Sequence, residues 1–249
     1  MGILEGRTAI VTGAASGIGA AIADAYAAEG AHLLLADRDE ERLAAAVSRY
    51  SEGEAKAVGV VVDVTDPDQT KMMVDRCLAE FGALDILVNC AGLLTEVPLA
   101  EMDVATWDEM ISVDLRSVFL CCRWAVPHML AQGSGRIINI SSQLGIKGGV
   151  GLVHYCAAKA GVIGLTRALA RELAPSGVLV NAIAPGPVWT PLFAGITEDW
   201  RQAKEAELPL GRFGLPHEIA PTAVLLASDP GGNLYVGQTL GPNSGDVMP

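Results

Sequence analysis

"RTAIVTGAASGIGAAIADAYAAEGAHLLLAD", residues 7–37, decides how the chain is organised. RTAIVT (7–12) and AHLLLAD (31–37) are short apolar runs with little polar alternation, the pattern of strands buried on both faces. Between them, GIGAAIADAYAAEG (17–30) repeats apolar residues at helical intervals and stops at Gly30, as helices often do. Strand, helix and strand in this order predict parallel strands with a helix packed on the sheet.

The pattern extends outward from there. AVGVVVD (57–63), LDILVN (84–89), GRIINIS (135–141) and GVLVNAI (177–183) read as further doubly buried strands. DEERLAAAVSRY (39–50) and PDQTKMMVDRCLAEFG (67–82) supply helices between the first four strands, and SVFLCCRWAVPHML (117–130) and AAKAGVIGLTRALARELA (157–174) read as long helices. Both long helices carry more apolar surface than one side of a sheet can cover, which suggests faces shared between subunits. No linker rich in Pro, Ser or charge interrupts the chain, and there is no repeat. Residues 1–249 are therefore expected to form one α/β domain, a doubly wound parallel sheet with helices on both faces.

Composition narrows the function. A formal net charge of −12 excludes a broad electrostatic surface for nucleic acid or anionic lipid and favours a small-molecule substrate. The five cysteines are odd in number and lack paired ligand spacing, so buried free thiols are expected, with neither a disulfide framework nor a metal site. No apolar run is long enough to span a bilayer, and Met1–Arg7 lacks the pattern of a signal peptide, so a soluble cytoplasmic protein is expected.

In a doubly wound sheet, ligands lie beyond the carboxyl ends of the strands. The first such loop is TGAASGIG (12–19), with Gly13, Gly17 and Gly19. Glycines let the backbone approach a ligand closely, and the helix that starts there offers free N–H groups to a pyrophosphate; a purely structural turn is the other reading. Asp37 ends the second run, where a carboxylate can accept from an adenosine ribose; it could equally cap the helix that follows, a job for which Asp39 competes.

T-G-x-x-x-G-I-G at Thr12–Gly19, N-x-A-G at Asn89–Gly92, a serine in NISSQLG, Y-x-x-x-K at Tyr155–Lys159 and P-G-x-x-x-T at Pro185–Thr190 together resemble the short-chain dehydrogenase/reductase family along essentially the whole chain. The resemblance implies a seven-stranded sheet, a nicotinamide cofactor and a homotetramer. It implies Ser142, not Ser141, as the catalytic serine, with Tyr155 and Lys159 as its partners. Cofactor contacts are implied at Gly13, Ser16, Gly17, Ile18, Gly19, Asp37, Asp63, Val64, Asn89, Ala91, Gly92, Tyr155, Lys159, Pro185, Gly186, Val188 and Thr190. Asp63 matches a position that contacts adenine, or simply begins a turn; Thr190 matches one that holds the carboxamide, or caps a helix. Asp37 favours NAD over NADP, because a 2′-phosphate would meet its carboxylate. Residues four apart share a helix face, so Lys159 lies beside Tyr155 and its ammonium favours the phenolate.

Two departures from the family pattern stand out. Cys90 replaces an asparagine in N-N-A-G, and Asp114 stands where the family has a catalytic asparagine. The side chain of Asp114 either disfavours the Tyr155 phenolate or is taken up silently by a polar pocket or Arg116. His154 could reach the substrate mouth or cap a turn, and Cys156 reads as packing. Loops 93–98, 143–154 and 187–200 should wall the substrate, with a lid around 187–213 that includes Trp189, Leu192 and Phe193. Lys147 offers a partner for a substrate carboxylate. Two other readings remain: an NADPH-dependent 3-oxoacyl-[acyl-carrier-protein] reductase, and an NAD-binding regulatory module with little turnover. Carrier docking by the first would resemble family members with basic residues at two helix ends, where this chain has Ala131-Gln132-Gly133 and Pro175-Ser176.

Overall fold

Each apolar run becomes a strand in a computed structural model that describes residues 2–50, 56–191 and 197–248. These are β1 (Thr8–Thr12), β2 (His32–Asp37), β3 (Ala57–Val61), β4 (Ile86–Asn89), β5 (Gly135–Ile140) and β6 (Val178–Ile183). A seventh, β7 (Thr239–Leu240), is only two residues long, too short to show a hydrophobic pattern of its own. All seven pair in parallel in the order β3-β2-β1-β4-β5-β6-β7.

Alternate side chains of each strand point to opposite faces, so the sheet feeds two cores. On one face Ala9, Val11, Leu33 and Leu35 pack with α1 (Gly17–Ala28), α2 (Glu40–Ser48) and α9 (Pro216–Ala227). On the other, Ile10, Leu34 and Leu87 pack with α3 (Pro67–Phe81), α5 (Ser117–Gln132) and α7 (Val153–Leu173). β3 departs from the doubly buried expectation, with Val61 45% exposed, because it is the edge strand. Asp39, Asp66 and Asp103 cap α2, α3 and α4 (Val104–Ile111) with their side chains, each accepting from a first-turn amide. α4 passes through one π-helical turn, Ser112–Arg116, into α5.

From β1 the chain moves outward to β2 and β3, then returns to lay β4 on the other side of β1. The connections therefore part between β1 and β4 and leave a crevice at their carboxyl ends. Thr12 holds its floor together. The buried Thr12 Oγ1 accepts from Cys90 N at 3.0 Å and Ala91 N at 3.1 Å. Thr12→Val keeps the shape but deprives both amides of their acceptor, and each polar group left unpaired costs roughly 1–3 kcal/mol. Urea unfolding should show a lower midpoint for the variant with far-ultraviolet circular dichroism unchanged; an unmoved midpoint would mean that the staple contributes nothing.

Candidate active site

At the end of β1, Gly13 takes the left-handed conformation, φ +65°. Its carbonyl oxygen lies 2.2 Å from where a Cβ on Gly19 would sit, so the loop can close onto α1 only with glycine at that position. Ser16 is the N-cap of α1 but its side chain makes no capping hydrogen bond. Gly17, Ile18 and Gly19, whose amides open the helix, line a cleft of roughly 1250 Å³. Uncapped amides and a positive helix end above a glycine floor suit a pyrophosphate.

Asp37 lies on the same cleft with its carboxylate accepting from Ala15 N at 3.0 Å and Asp39 N at 3.1 Å. The cap of α2 belongs to Asp39, which leaves Asp37 as the acidic side chain of the cleft. Asp63 makes the turn after β3, accepting from the Thr65 amide and hydroxyl, and also borders the cleft beside Val64. Ser16, Ala91, Gly92, Pro185, Gly186, Val188 and Thr190 complete the lining expected from the sequence. Thr190 caps no described helix; α8 (Glu198–Glu207) is capped by Thr197. These residues fit a dinucleotide.

Asn89 stands apart from the other expected cofactor residues. Its side chain turns into the protein, donating to Asn139 Oδ1 at 2.8 Å, and it does not line the cleft. Asn139 in turn donates to Thr166 at 2.9 Å, so Asn89 belongs to a buried polar chain beneath the floor.

Ser142, Tyr155 and Lys159 come together at the other half of the cleft. The two serines after β5 separate cleanly. Ser141 spends its hydroxyl on the Lys159 carbonyl at 2.8 Å, whereas Ser142 faces the cleft, its hydroxyl accepting from Leu144 N at 3.1 Å and drawing the pKa of the Tyr155 phenol downward. Tyr155 stands in the first turn of α7, and the Lys159 ammonium, one turn on, lies 5.6 Å from its ring centre. That ammonium donates to the Ile140 carbonyl at 3.1 Å and pairs with Asp114 Oδ2 at 3.0 Å. Asp114 is fully buried, and its other oxygen accepts from Leu93 N at 2.8 Å. Arg116 points elsewhere, to the Thr65 carbonyl, so the polar partner of Asp114 is the lysine.

The electrostatics follow from burial. Loss of water pushes the Tyr155 phenol above its ordinary range; Lys159 and Ser142 pull it down, while Asp114 opposes them. Lys159 favours the phenolate as its spacing implies, and Asp114 disfavours it as one of the two readings of that residue had it, but burial makes the net direction upward. Burial alone would lower the Lys159 ammonium, but Asp114, with Tyr155 in support, holds it above the usual value.

Neighbouring residues take structural roles. His154 is fully buried, its Nε2 2.9 Å from Thr95 Oγ1, and burial lowers its pKa; it reaches neither the substrate mouth nor a turn cap. Burial pushes the Cys90 thiol up to about 12. Cys77, Cys121 and Cys122 are buried, whereas Cys90 and Cys156 are half-buried, against the expectation of five buried thiols. Lys147, at the end of α6 (Leu144–Lys147), finds its carboxylate within the chain: Asp246, at 2.6 Å. The same carboxylate accepts from Gln143 and pairs with Lys204 of α8 at 3.2 Å. Over the cleft, Trp189 and Trp200 pack on Phe213, and α8 stands where a lid was expected. Leu192 and Phe193 lie outside the described residues.

Sequence reading missed Thr12 as a staple, Asn139, and the Gln143, Lys204 and Asp246 cluster. Thr12 opens a motif and could have been weighed; Asp246 has no local signal, because its partners come from α6 and α8.

The short chain dehydrogenase family profile matches residues 7–201. A cis-4-hydroxycyclohexanecarboxylate dehydrogenase of Sinomonas cyclohexanicum is 45% identical, with 96% of each chain covered. The 3-oxoacyl-[acyl-carrier-protein] reductase FabG of Thermotoga maritima is 40% identical over 98% of this chain and 99% of its own, and that of Escherichia coli is 40% identical over 98% of each.

Proposed function

The chain belongs to the short-chain dehydrogenase family and is an oxidoreductase, and we propose that it transfers a hydride between NAD(H) and a small secondary alcohol or its ketone. The observation that carries this reading is the convergence of Ser142, Tyr155 and Lys159 on the cleft that also holds the uncapped start of α1 and Asp37. The nicotinamide, when bound, supplies or accepts the hydride. Gly17, Ile18 and Gly19 would receive the pyrophosphate, Asp37 the adenosine ribose, and Asp63 and Val64 the adenine side. Ala91, Gly92, Pro185, Gly186, Val188 and Thr190 would hold the nicotinamide half, with Lys159 donating to the second ribose.

Tyr155 moves the proton. Its phenol gives a proton to the ketone oxygen in reduction, and its phenolate takes the hydroxyl proton in oxidation. Ser142 hydrogen-bonds the substrate oxygen and stabilises charge that develops there. Tyr155→Phe removes one oxygen and almost no volume, and general acid–base groups contribute ~10²–10⁴-fold. Its kcat/KM should fall by that order while NAD affinity, followed by fluorescence of the reduced cofactor, stays near wild type. Comparable turnover would remove Tyr155 from the mechanism.

NAD is favoured over NADP by the position of Asp37. A ribose 2′-hydroxyl can donate to its carboxylate, whereas a 2′-phosphate meets like charge. Arg38 and Arg42 border the same end of the cleft, and Arg42 is already paired with Asp39 at 3.3 Å. A higher kcat/KM with NAD than with NADP is expected, and the reverse order refutes the assignment.

The second reading, reduction of a carrier-bound 3-oxoacyl group with NADPH, is favoured by the full-length likeness to the FabG proteins. Against it stand Asp37 and the missing basic residues: at the end of α5, Gln132 spends its side chain on the Leu84 backbone. The Sinomonas relative is named for a small hydroxylated ring acid, a substrate of the size proposed. A screen of secondary alcohols, polyols and hydroxy acids with NAD, run beside acetoacetyl thioesters with NADPH, separates the readings. We place the enzyme in the cytoplasm as a homotetramer; Phe119 on α5 and Leu234 after α9 are exposed apolar side chains consistent with subunit contact. No helix among the described residues is long and apolar enough to cross a membrane. Sedimentation at micromolar concentration should give about four times the chain mass of 25.9 kDa, and a monomer counts against assembly.

A further inference from the structure

We propose that Asp114 is a positioning residue whose buried carboxylate pairs with the Lys159 ammonium and offsets that ammonium's pull on Tyr155, and so sets the working direction of the enzyme: ketone reduction near neutral pH, alcohol oxidation only in alkali. The inference rests on Tyr155 being the proton-transferring group.

The geometry is that of a closed buried pair. Lys159 has three N–H donors. One goes to the Ile140 carbonyl at 3.1 Å, and the ammonium lies 3.0 Å from Asp114 Oδ2 as an ion pair without a hydrogen bond to that oxygen. Asp114 is held by the Leu93 amide at 2.8 Å and by the π-helical turn that carries it. Gly92 makes room above them: a Cβ there would lie 3.1 Å from Asp114 Oδ2 and 3.4 Å from Lys159 Nζ. With both partners out of water, the carboxylate stabilises the ammonium and opposes a second anion close by. That second anion is the Tyr155 phenolate.

Among the described residues, the charged or titratable groups acting on Tyr155 come from α7 and the π turn. Lys159 favours its ionisation, while Asp114 and Cys156 disfavour it. His154 on α7 and Cys90 after β4 face the pair itself, His154 through Asp114 and Cys90 through Lys159. The neutral Ser142 hydroxyl favours the phenolate from the loop after β5. Burial and the carboxylate prevail, so the phenol is the resting form. A phenol is ready to donate. In reduction the ketone carbon gains hydride from the reduced nicotinamide, and its oxygen takes the Tyr155 proton, leaving a phenolate that is reprotonated from solvent. In oxidation the hydroxyl O–H breaks toward a Tyr155 phenolate, the carbinol C–H pair leaves as hydride for the oxidised nicotinamide, and the C=O bond forms. Only oxidation requires the phenolate before it starts.

Two measurements test this. In the first, kcat/KM for oxidation is followed against pH for wild type and Asp114→Asn; removal of the charge should move the acid limb to lower pH. The second needs no substrate: phenolate absorbance near 295 nm is titrated in the cofactor-free protein, with Tyr155→Phe subtracted to isolate Tyr155. Tyr155 in wild type should ionise above the range of free tyrosine, and in Asp114→Asn it should ionise lower. Asp114→Ser serves in the same titration if the asparagine variant does not fold, since it too lacks the charge. An unmoved acid limb, or a Tyr155 phenolate present at neutral pH in wild type, overturns the proposal. Loss of turnover in wild type with every substrate would instead overturn the assignment of Tyr155, while the titration still reports on Asp114.

Discussion

The structure is built around a single topological necessity, the parting of the chain between β1 and β4. Parallel strands place all their carboxyl ends on one edge of the sheet, and wherever neighbouring connections run to opposite faces they leave a gap there. Here the gap is floored by Thr12, whose buried hydroxyl holds the amides of Cys90 and Ala91 against the end of β1. The glycine loop, Asp37 and the chain after β4 are fixed relative to one another because they are fixed to that floor. The catalytic half arrives from β5 and α7 on the same edge, with Asn139 of β5 linking Asn89 of β4 to Thr166 of α7.

Placing an ammonium in such a site is costly unless a counter-charge meets it. Lys159 is 5% exposed, and its partner Asp114 is not exposed at all. Burial alone would lower the Lys159 pKa and favour its neutral amine. The pairing keeps the lysine charged, but the anion that does so also acts on the tyrosine. One carboxylate thus acts on both groups, raising the pKa of the lysine and of the tyrosine together.

The parts of this arrangement that are local in sequence were legible there. RTAIVT, AHLLLAD and four similar runs are strands because continuous apolar character leaves no face for water, and their ends agree with the observed strands within about two residues at each end. Ser142 was selected by resemblance, and the reason is visible only in space, where Ser141 is spent on the Lys159 carbonyl. Asn89 sits in a recognisable motif, yet its side chain serves the interior, because a motif marks a place in the backbone and does not say which way the side chain turns. β7 escaped for want of length. At Tyr155 the roles of Lys159 and Asp114 are readable from their positions, but the larger effect of burial depends on what closes over the site.

The substrate end follows a different logic. The cofactor half draws on short segments directly after the strands, whereas the mouth is assembled from α6, α8 and the tail beyond β7. Asp246 is the point where they meet, a carboxylate whose side chain is 9% exposed with Lys147, Lys204 and Gln143 around it. Three donors satisfy it fully, so the loop beside Ser142 and the helix over the cleft share one anchor. A substitution in the tail would then reach the substrate through Gln143 and α8 without touching the reacting atoms. Variation at the mouth can alter what fits the cleft while the strand ends stay as they are.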